Sequence, residues 1–313
     1  MTSWTKADIP DMTGKRVLIT GATSGLGKAE AQVLAERGAD LILGVRNIAK
    51  GETVADTIRR ASPDASVEVR RLDLASLASI ESFATALRAD HERIDVLINN
   101  AGVMVPPYGR TEDGFELQMG TNHFGAFALT GRLLPLLAAT PGSRVTLTSS
   151  VAHKQGKPDL ADLDWTNRKY SAWQAYSDTK IANLLFAFEL DRRLDGNGPK
   201  VIAAHPGWTA TDLQRHSGFA NFMNNIVAMK LEQGVLSPLR AATDPTAKSG
   251  DFYGPTKFRD MRGWPEHATA IPRAHDRGLA ALLWDISTER TGVTYHLGGQ
   301  NASFEKYHND HAA

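Results

Sequence analysis

The sequence predicts an α/β fold built on a doubly wound parallel sheet. Three observations carry that expectation. Short β-branched runs alternate with longer helical stretches over roughly 200 residues, a βα repeat that only helical crossovers of one hand can close. The runs are near-continuously apolar, as strands buried on both faces must be. A length of 313 residues is ample for one large core.

The elements follow in order. Val17-Leu18-Ile19-Thr20 is the first strand, and a glycine-rich turn leads to a helix from about Gly25 to Arg37 with Gly38 as its stop. Leu41 to Val45 is the second strand, followed by a helix to about Arg60. Val67 to Leu72 is the third, followed by a helix from near Ser76 to near His91, and Val96-Leu97-Ile98 is the fourth. A long helix from about Asp113 to Leu137 leads to a strand at Arg144 to Thr148, and another from about Trp173 to Leu194 leads to Val201 to Ala204. Regularity lapses after Pro206 and returns with a helix from about Ala274 to Asp285 and a last strand near Val293 to Leu297. Residues 1–313 therefore read as a single Rossmann-like domain, with 207–273 inserted over the sheet edge where such folds bind ligands. The polar tail from Ser303 to Ala313 is expected to fray.

Composition narrows the function. Lys plus Arg number 35 and Asp plus Glu 35, so no net field gathers nucleic acid or anionic lipid. The absence of cysteine removes disulfides, thiol catalysis and Cys-metal sites. No His-Glu-x-x-His occurs, and the tail histidines His308 and His311 lack a carboxylate cluster, so no metal site is expected. Residues 1–15 lack the apolar core of a signal peptide, and no stretch of about 18 uncharged apolar residues exists. We expect a soluble cytoplasmic protein.

Thr20-Gly21-Ala22-Thr23-Ser24-Gly25-Leu26-Gly27 joins the first strand to the first helix, where backbone N–H groups and the helix N-terminus can face an anion. A mononucleotide loop of the Gly-x4-Gly-Lys-Ser/Thr type fails on spacing, and Ala29 offers no hydroxyl to magnesium. A plain tight turn is the bland alternative; the position in a parallel α/β fold favours a dinucleotide. The second strand ends in Val45-Arg46, where an NAD-specific fold would place an acid. Arg46 can instead grip a 2′-phosphate, with Lys28 adding charge, so NADP(H) is the expected cofactor.

Tyr176 and Lys180 stand one helical turn apart on one face. An ammonium beside a phenol favours phenolate, drawing its pKa down from about 10 toward working pH. The pair alone is a weak signal, but with the glycine turn on the same chain it becomes specific.

On these pieces the sequence resembles the short-chain dehydrogenase/reductase family over roughly residues 13–300. The matching segments are Thr20 to Gly27, Leu72-Asp73-Leu74, Asn99-Asn100-Ala101-Gly102, Thr121-Asn122-His123, Thr148-Ser149-Ser150, Tyr176 with Lys180, and Pro206-Gly207. The resemblance implies that Asn122, Ser150, Tyr176 and Lys180 are catalytic. Asn122 would kink a helix and hold a relay water, Ser150 would position the carbonyl, and Tyr176 would exchange the proton. The implied cofactor contacts are Gly21, Thr23, Ser24, Gly25, Leu26, Gly27, Arg46, Asp73, Leu74, Asn99, Ala101, Gly102, Tyr176, Lys180, Pro206 and Gly207. Asp73 capping the next helix and Asn99 and Asn100 bridging strand ends are structural alternatives. Twenty-six positions separate Ser150 from Tyr176, longer than usual for the family, and His153 and Trp165 fall between. That gap and the segment from Tyr176 to Leu190 are most similar to the retinol dehydrogenase and protochlorophyllide reductase branch.

The implied function is an NADP(H)-dependent carbonyl reductase or alcohol dehydrogenase. A non-catalytic nucleotide sensor would be expected to lose part of the Asn, Ser, Tyr and Lys set, and all four stand. A sugar-nucleotide epimerase or dehydratase would carry Thr-Gly-x-x-Gly-x-x-Gly and a larger C-terminal domain. Phe219, Phe222, Met223 and Ile226 share one helical face after Pro206-Gly207, which reads either as core or as a lid favouring a lipophilic ketone or aldehyde. The apolar helix from Ile181 to Leu190 is compatible with a homodimer, and equally with a deep core.

Overall fold

A computed structural model of the protein describes residues 3–209 and 229–297. The strands are β1 (Arg16–Thr20), β2 (Asp40–Val45), β3 (Val67–Arg71), β4 (Val96–Asn99), β5 (Arg144–Thr148), β6 (Lys200–Ala204), β7 (Phe252–Lys257) and β8 (Arg262–His267). They form one eight-stranded sheet in the order β3-β2-β1-β4-β5-β6-β7-β8, parallel except for β8. The helices are α1 (Gly25–Glu36), α2 (Ile48–Ala61), α3 (Leu77–Asp90), α4 (Leu117–Met119), α5 (Gly125–Ala139), α6 (Ala172–Leu194), α7 (Leu231–Gly234), α8 (Leu236–Thr243) and α9 (Arg277–Thr291).

The alternation of strand side chains makes two apolar layers. Leu18, Ile42, Leu97, Val145 and Val201 point to one face, where Phe83 of α3, Phe127 of α5, Ile181 of α6 and Trp284 of α9 cover them. Val17, Ile19, Leu41, Leu43 and Ile98 point to the other, beneath Leu34 of α1, Ile58 of α2 and Leu239 of α8. Because both faces are covered at the centre of the sheet, β1, β2, β4 and β6 are written almost without polar residues, whereas β3 and β8 at the edges carry charged ones.

Three expectations change. The helix expected from Asp113 begins only at Leu117, because Gly114 turns the chain at φ +84° and Thr111 pairs with Phe115. Asp113 instead accepts the Leu77 N–H at 2.9 Å, at the start of α3. The last helix starts at Arg277, where Asp276 caps the Leu279 N–H at 3.0 Å, and runs to Thr291. Residues 293–297 form no strand, since β7 already occupies the edge beside β6. Val293 and Tyr295 pack on α5 instead, and the Tyr295 hydroxyl donates to the Phe127 carbonyl at 2.7 Å. Ile181, Leu184, Leu185 and Leu190 of α6 are buried within this chain.

A Cβ at Gly131 of α5 would meet Tyr295 and Val293, each at 2.6 Å. Gly131→Val should therefore lower stability by about 1–3 kcal/mol, read as a fall in urea midpoint. An unchanged midpoint would show that residues 293–295 do not dock there.

Candidate active site

A cavity of about 990 Å³ opens beyond the C-terminal ends of the strands. It lies where the chain leaves β1 toward β2 on one side and β4 toward β5 on the other, the switch point at which open parallel sheets bind ligands. The crevice is shaped by a clamp between the first two strands of its floor. The Thr20 hydroxyl accepts the N–H groups of Asn100 and Ala101 at 3.1 and 3.0 Å, and the Asn100 amide donates to the Thr20 carbonyl at 2.9 Å.

That clamp brings the glycine turn against Ala101. Gly21 takes φ +72°, and a Cβ there would sit 2.9 Å from Ala101. Gly27 admits the Asn100 amide and the Gly21 carbonyl into space that any side chain would fill. Gly25 adopts φ +53° at the first residue of α1. Thr23, Ser24 and Leu26 line the cavity, and the Ser24 hydroxyl makes no capping bond to α1. The N–H groups at the start of α1 stand there without helical partners, as an anion site requires.

At the end of β2, Arg46 lines the cavity, and Asn47, which caps the Lys50 N–H at 3.0 Å, brings Lys50 beside it. Lys50, not Lys28, supplies the second cation, and its position one turn after Arg46 was a signal the sequence offered. No carboxylate stands beside this pair on β2 or α2 in the cavity wall. Asp73 and Leu74 line the next stretch; the Asp73 carboxylate also accepts the Ala75 N–H at 3.0 Å, while Ser76 is the actual cap of α3. Ala101, Gly102, Pro206 and Gly207 line the cavity as expected. Asn99 does not, because its amide turns away to Thr130 of α5 at 3.1 Å.

The proton-handling groups gather at the other end. Tyr176 and Lys180 of α6 and Ser150, just past β5, all reach the cavity wall. Ser149 also lines the cavity, but its hydroxyl is engaged, donating to the Lys180 carbonyl at 2.8 Å, and Ser150 is the serine bonded to Tyr176. Burial pushes the Tyr176 phenol up to about 12, against the opposing pull of the Ser150 hydrogen bond. Burial likewise pushes Lys180 down to about 8. Its Nζ donates to the Thr148 carbonyl at 3.2 Å and lies 5.4 Å from the Tyr176 ring centre. The Tyr176 pKa is thus raised rather than lowered in the nucleotide-free site, because desolvation outweighs the Ser150 hydrogen bond.

Asn122 sits in a π-helical turn, Gly120–Phe124, that interrupts the helix between α4 and α5. It does not line the cavity. Its amide bonds both backbone groups of Val103, at 2.8 and 2.9 Å, and Thr179 of α6 at 3.1 Å. It therefore ties the loop after β4 to the Tyr176 helix. His153 points inward, its Nδ1 donating to the Ser150 carbonyl at 2.7 Å, and its pKa is lowered by burial. His205, driven to about 3 by burial, accepts the Gly207 N–H at 3.2 Å and so holds the Pro206-Gly207 turn.

Met104, Val105, Ala152, Trp173 and Trp208 pack around Tyr176. Sequence reasoning missed these, and it missed Arg259 and Met261, which the β7–β8 hairpin carries into the wall from far along the chain. The apolar face of Phe219, Phe222, Met223 and Ile226 lies outside the described residues. Among the described residues no group of side chains could hold a metal ion, and no helix is long and apolar enough to cross a membrane.

The Lys180 shift has a measurable consequence. A lysine that titrates at about 8 when folded and at 10.5 when unfolded binds its proton more weakly in the native state. Its charge opposes folding below about pH 8, and stability rises with pH between the two values. Nucleotide-free Lys180→Met should be more stable than the parent at pH 7, by on the order of 1–3 kcal/mol, and the gain should shrink as pH rises toward 10. A gain independent of pH would show that no ammonium is buried there.

Comparison with known proteins agrees with this geometry. Residues 15–219 match the short chain dehydrogenase family. Human retinol dehydrogenase 13 is 43% identical over 295 residues, spanning 92% of this chain and 87% of the relative. Mouse retinol dehydrogenase 14 is 39% identical over 301 residues, spanning 90% and 87%. The crystal structure of an uncharacterized protein from Mycobacterium paratuberculosis superposes with a TM-score of 0.81 at 42% identity, covering 94% of this chain and 99% of that one. A short-chain dehydrogenase from Sphingobium yanoikuyae in complex with NADPH gives 0.59 at 27% identity, covering 71% and 81%. The chain belongs to the short-chain dehydrogenase family, in the branch of the retinol dehydrogenases, and is an oxidoreductase of CH–OH and C=O groups.

Proposed function

We propose that the protein is an NADP(H)-dependent enzyme that interconverts a lipophilic ketone or aldehyde and its alcohol, with Tyr176 as the general acid and base. The observation that carries this is the meeting of the Ser150, Tyr176 and Lys180 side chains with the glycine turn and Arg46 in one cavity. A nicotinamide dinucleotide, when bound, supplies or accepts the hydride. Its residues here would be the turn from Gly21 to Leu26 with the start of α1 for the diphosphate, Arg46 and Lys50 for a 2′-phosphate, and Asp73 and Leu74 toward the adenine. The Sphingobium relative was crystallised with NADPH, which supports the same choice.

The chain's own groups handle the proton. With its pKa at about 12, Tyr176 carries a proton at neutral pH and can donate it to a carbonyl oxygen. Ser150 can donate a second hydrogen bond to that oxygen, and Lys180 offers the charge against which phenolate forms. In the oxidative direction Tyr176 must first lose its proton. The surrounding Met104, Trp173 and Trp208 exclude water and suit an apolar substrate. Residues 207–273 remain our candidate for the substrate-covering region, since Gly207, Trp208, Thr209, Arg259 and Met261 within it line the cavity. Retinol dehydrogenases as relatives favour an apolar alcohol or aldehyde.

Tyr176→Phe should lower kcat by roughly 10²–10⁴-fold with an apolar aldehyde while NADPH still binds. Near-normal kcat would remove Tyr176 as the proton donor. Cofactor choice is tested at position 46. Val45 is buried against Gly51, so an acid placed there would disturb the core, whereas Arg46 is exposed to the cavity. Arg46→Asp should cut kcat/KM with NADPH by roughly 10- to 100-fold and leave NADH as the better cofactor. An unchanged ratio would exclude Arg46 from 2′-phosphate recognition.

A further inference from the structure

Charge in the cavity wall is unbalanced. Arg46, Lys50, Lys154, Lys180 and Arg259 line it, against Asp73 as its carboxylate. Four of the cations have an evident use. Arg46 and Lys50 stand at the end of β2, Lys180 bonds Thr148, and Lys154 pairs with Asp260 at 2.5 Å. Arg259 has none. It makes no hydrogen bond or ion pair among the described residues, yet it is presented to the cavity by a hairpin that is firmly held.

Three non-glycine residues in succession, Phe258, Arg259 and Asp260, take left-handed φ of 51°, 57° and 68°. Such a run is unfavourable and persists only where surrounding contacts determine it. Those contacts are the Lys154–Asp260 pair, the Trp208 N–H to Met261 carbonyl bond at 2.9 Å, and the Gln233 amide to Gly263 carbonyl bond at 2.9 Å. All three hold the hairpin against segments that follow β5 and β6, next to Ser150 and Gly207.

Sheet order says which part of a bound molecule Arg259 faces. It follows β7, whereas the glycine turn follows β1, Arg46 follows β2 and Ser150 follows β5. At about 4.8 Å per strand, the root of Arg259 lies roughly 19 Å from the diphosphate turn, 24 Å from the β2 end and 10 Å beyond Ser150. It stands on the side of the catalytic groups away from the phosphate-binding elements.

We propose that Arg259 recognises an oxyanion carried by the substrate on the side of the reacting carbon away from the dinucleotide, so that the enzyme takes an apolar aldehyde or alcohol with an acidic group at its far end. A carboxylate and a phosphate monoester share the required chemistry, a planar or forked acceptor for the guanidinium. This inference rests on the cavity being the substrate site, and its test does not depend on turnover.

The tryptophans Trp173 and Trp208 in the same wall provide an intrinsic fluorescence signal. Decanoate, decyl phosphate and methyl decanoate would be titrated into the NADP⁺-saturated protein and into its Arg259→Gln and Arg259→Lys variants. We expect the anions to bind more tightly than the ester, the preference to fall roughly tenfold in Arg259→Gln, and Arg259→Lys to recover part of it. The tighter of the two anions identifies the group. The inference is overturned if the parent does not prefer the anions, if Arg259→Gln keeps the preference, or if that variant instead weakens NADPH binding, which would make Arg259 a cofactor residue. A protein that binds decanoate through Arg259 but reduces no aldehyde would count against the oxidoreductase mechanism alone.

Discussion

The site depends on one buried junction, the bonding of Thr20 to Asn100 and Ala101 across β1 and β4. Parallel strands leave their C-terminal ends without a common connection, and at the switch point the two chains depart in opposite directions. Without a tie, the glycine turn and the loop after β4 would have no fixed spacing. The Thr20 hydroxyl accepts two N–H groups and donates to the Ile98 carbonyl at 3.3 Å, while Thr20 itself is fully buried. Backbone groups at a strand end need partners when water is excluded, and here one side chain serves several of them. The lack of side chains at Gly21 and Gly27 follows, since the clamp leaves no room for them.

The reactive groups are held by the same economy of bonding. Asn122 ties the loop after β4 to α6, Ser149 and Thr148 bond Lys180, and His153 and His205 brace Ser150 and Gly207. Burial then sets their protonation: the phenol is held neutral, the two histidines are driven toward the neutral form, and the lysine loses much of its basicity. Tyr176 therefore keeps its proton for a carbonyl oxygen at neutral pH, while Lys180, at about 8, is the group beside it whose charge responds to conditions near neutrality. An anion arriving beside Lys180 would restore the lysine's affinity for its proton, which couples binding to the readiness of the phenol.

Much of this was legible in the sequence because local rules agreed with the global fold. Of the six strands through Ala204 all but the charged β3 announced themselves as largely apolar runs, and Gly38, Ser76 and the Tyr176–Lys180 spacing acted through the chain within one turn of themselves. What failed to show depended on distant partners. β7 and β8 contain Gly254, Pro255 and Pro265, which disguise them as loop, and only the free edge of β6 makes strands of them. Val293 and Tyr295 have the period of a strand but find an α5 glycine to pack on before they find a sheet. Asn99 and Asn100 are neighbours in sequence, yet one turns to α5 and the other to Thr20. Arg259 carries no local signal, since its meaning comes from a hairpin pinned to the segments after β5 and β6. The Tyr176 shift was hidden for a related reason: spacing reveals the nearby Lys180, but not the burial that raises the phenol's pKa.

The claim that the β1–β4 clamp creates the cofactor crevice is tested most directly by Thr20→Val, which keeps the side-chain shape and deletes its hydroxyl. The measurement is the equilibrium Kd for NADPH, read from nicotinamide fluorescence, on protein whose cooperative unfolding has been checked. Leaving the Asn100 and Ala101 N–H groups without their acceptor should loosen the turn and weaken binding roughly tenfold or more. A folded Thr20→Val protein that binds NADPH as tightly as the parent would contradict the account.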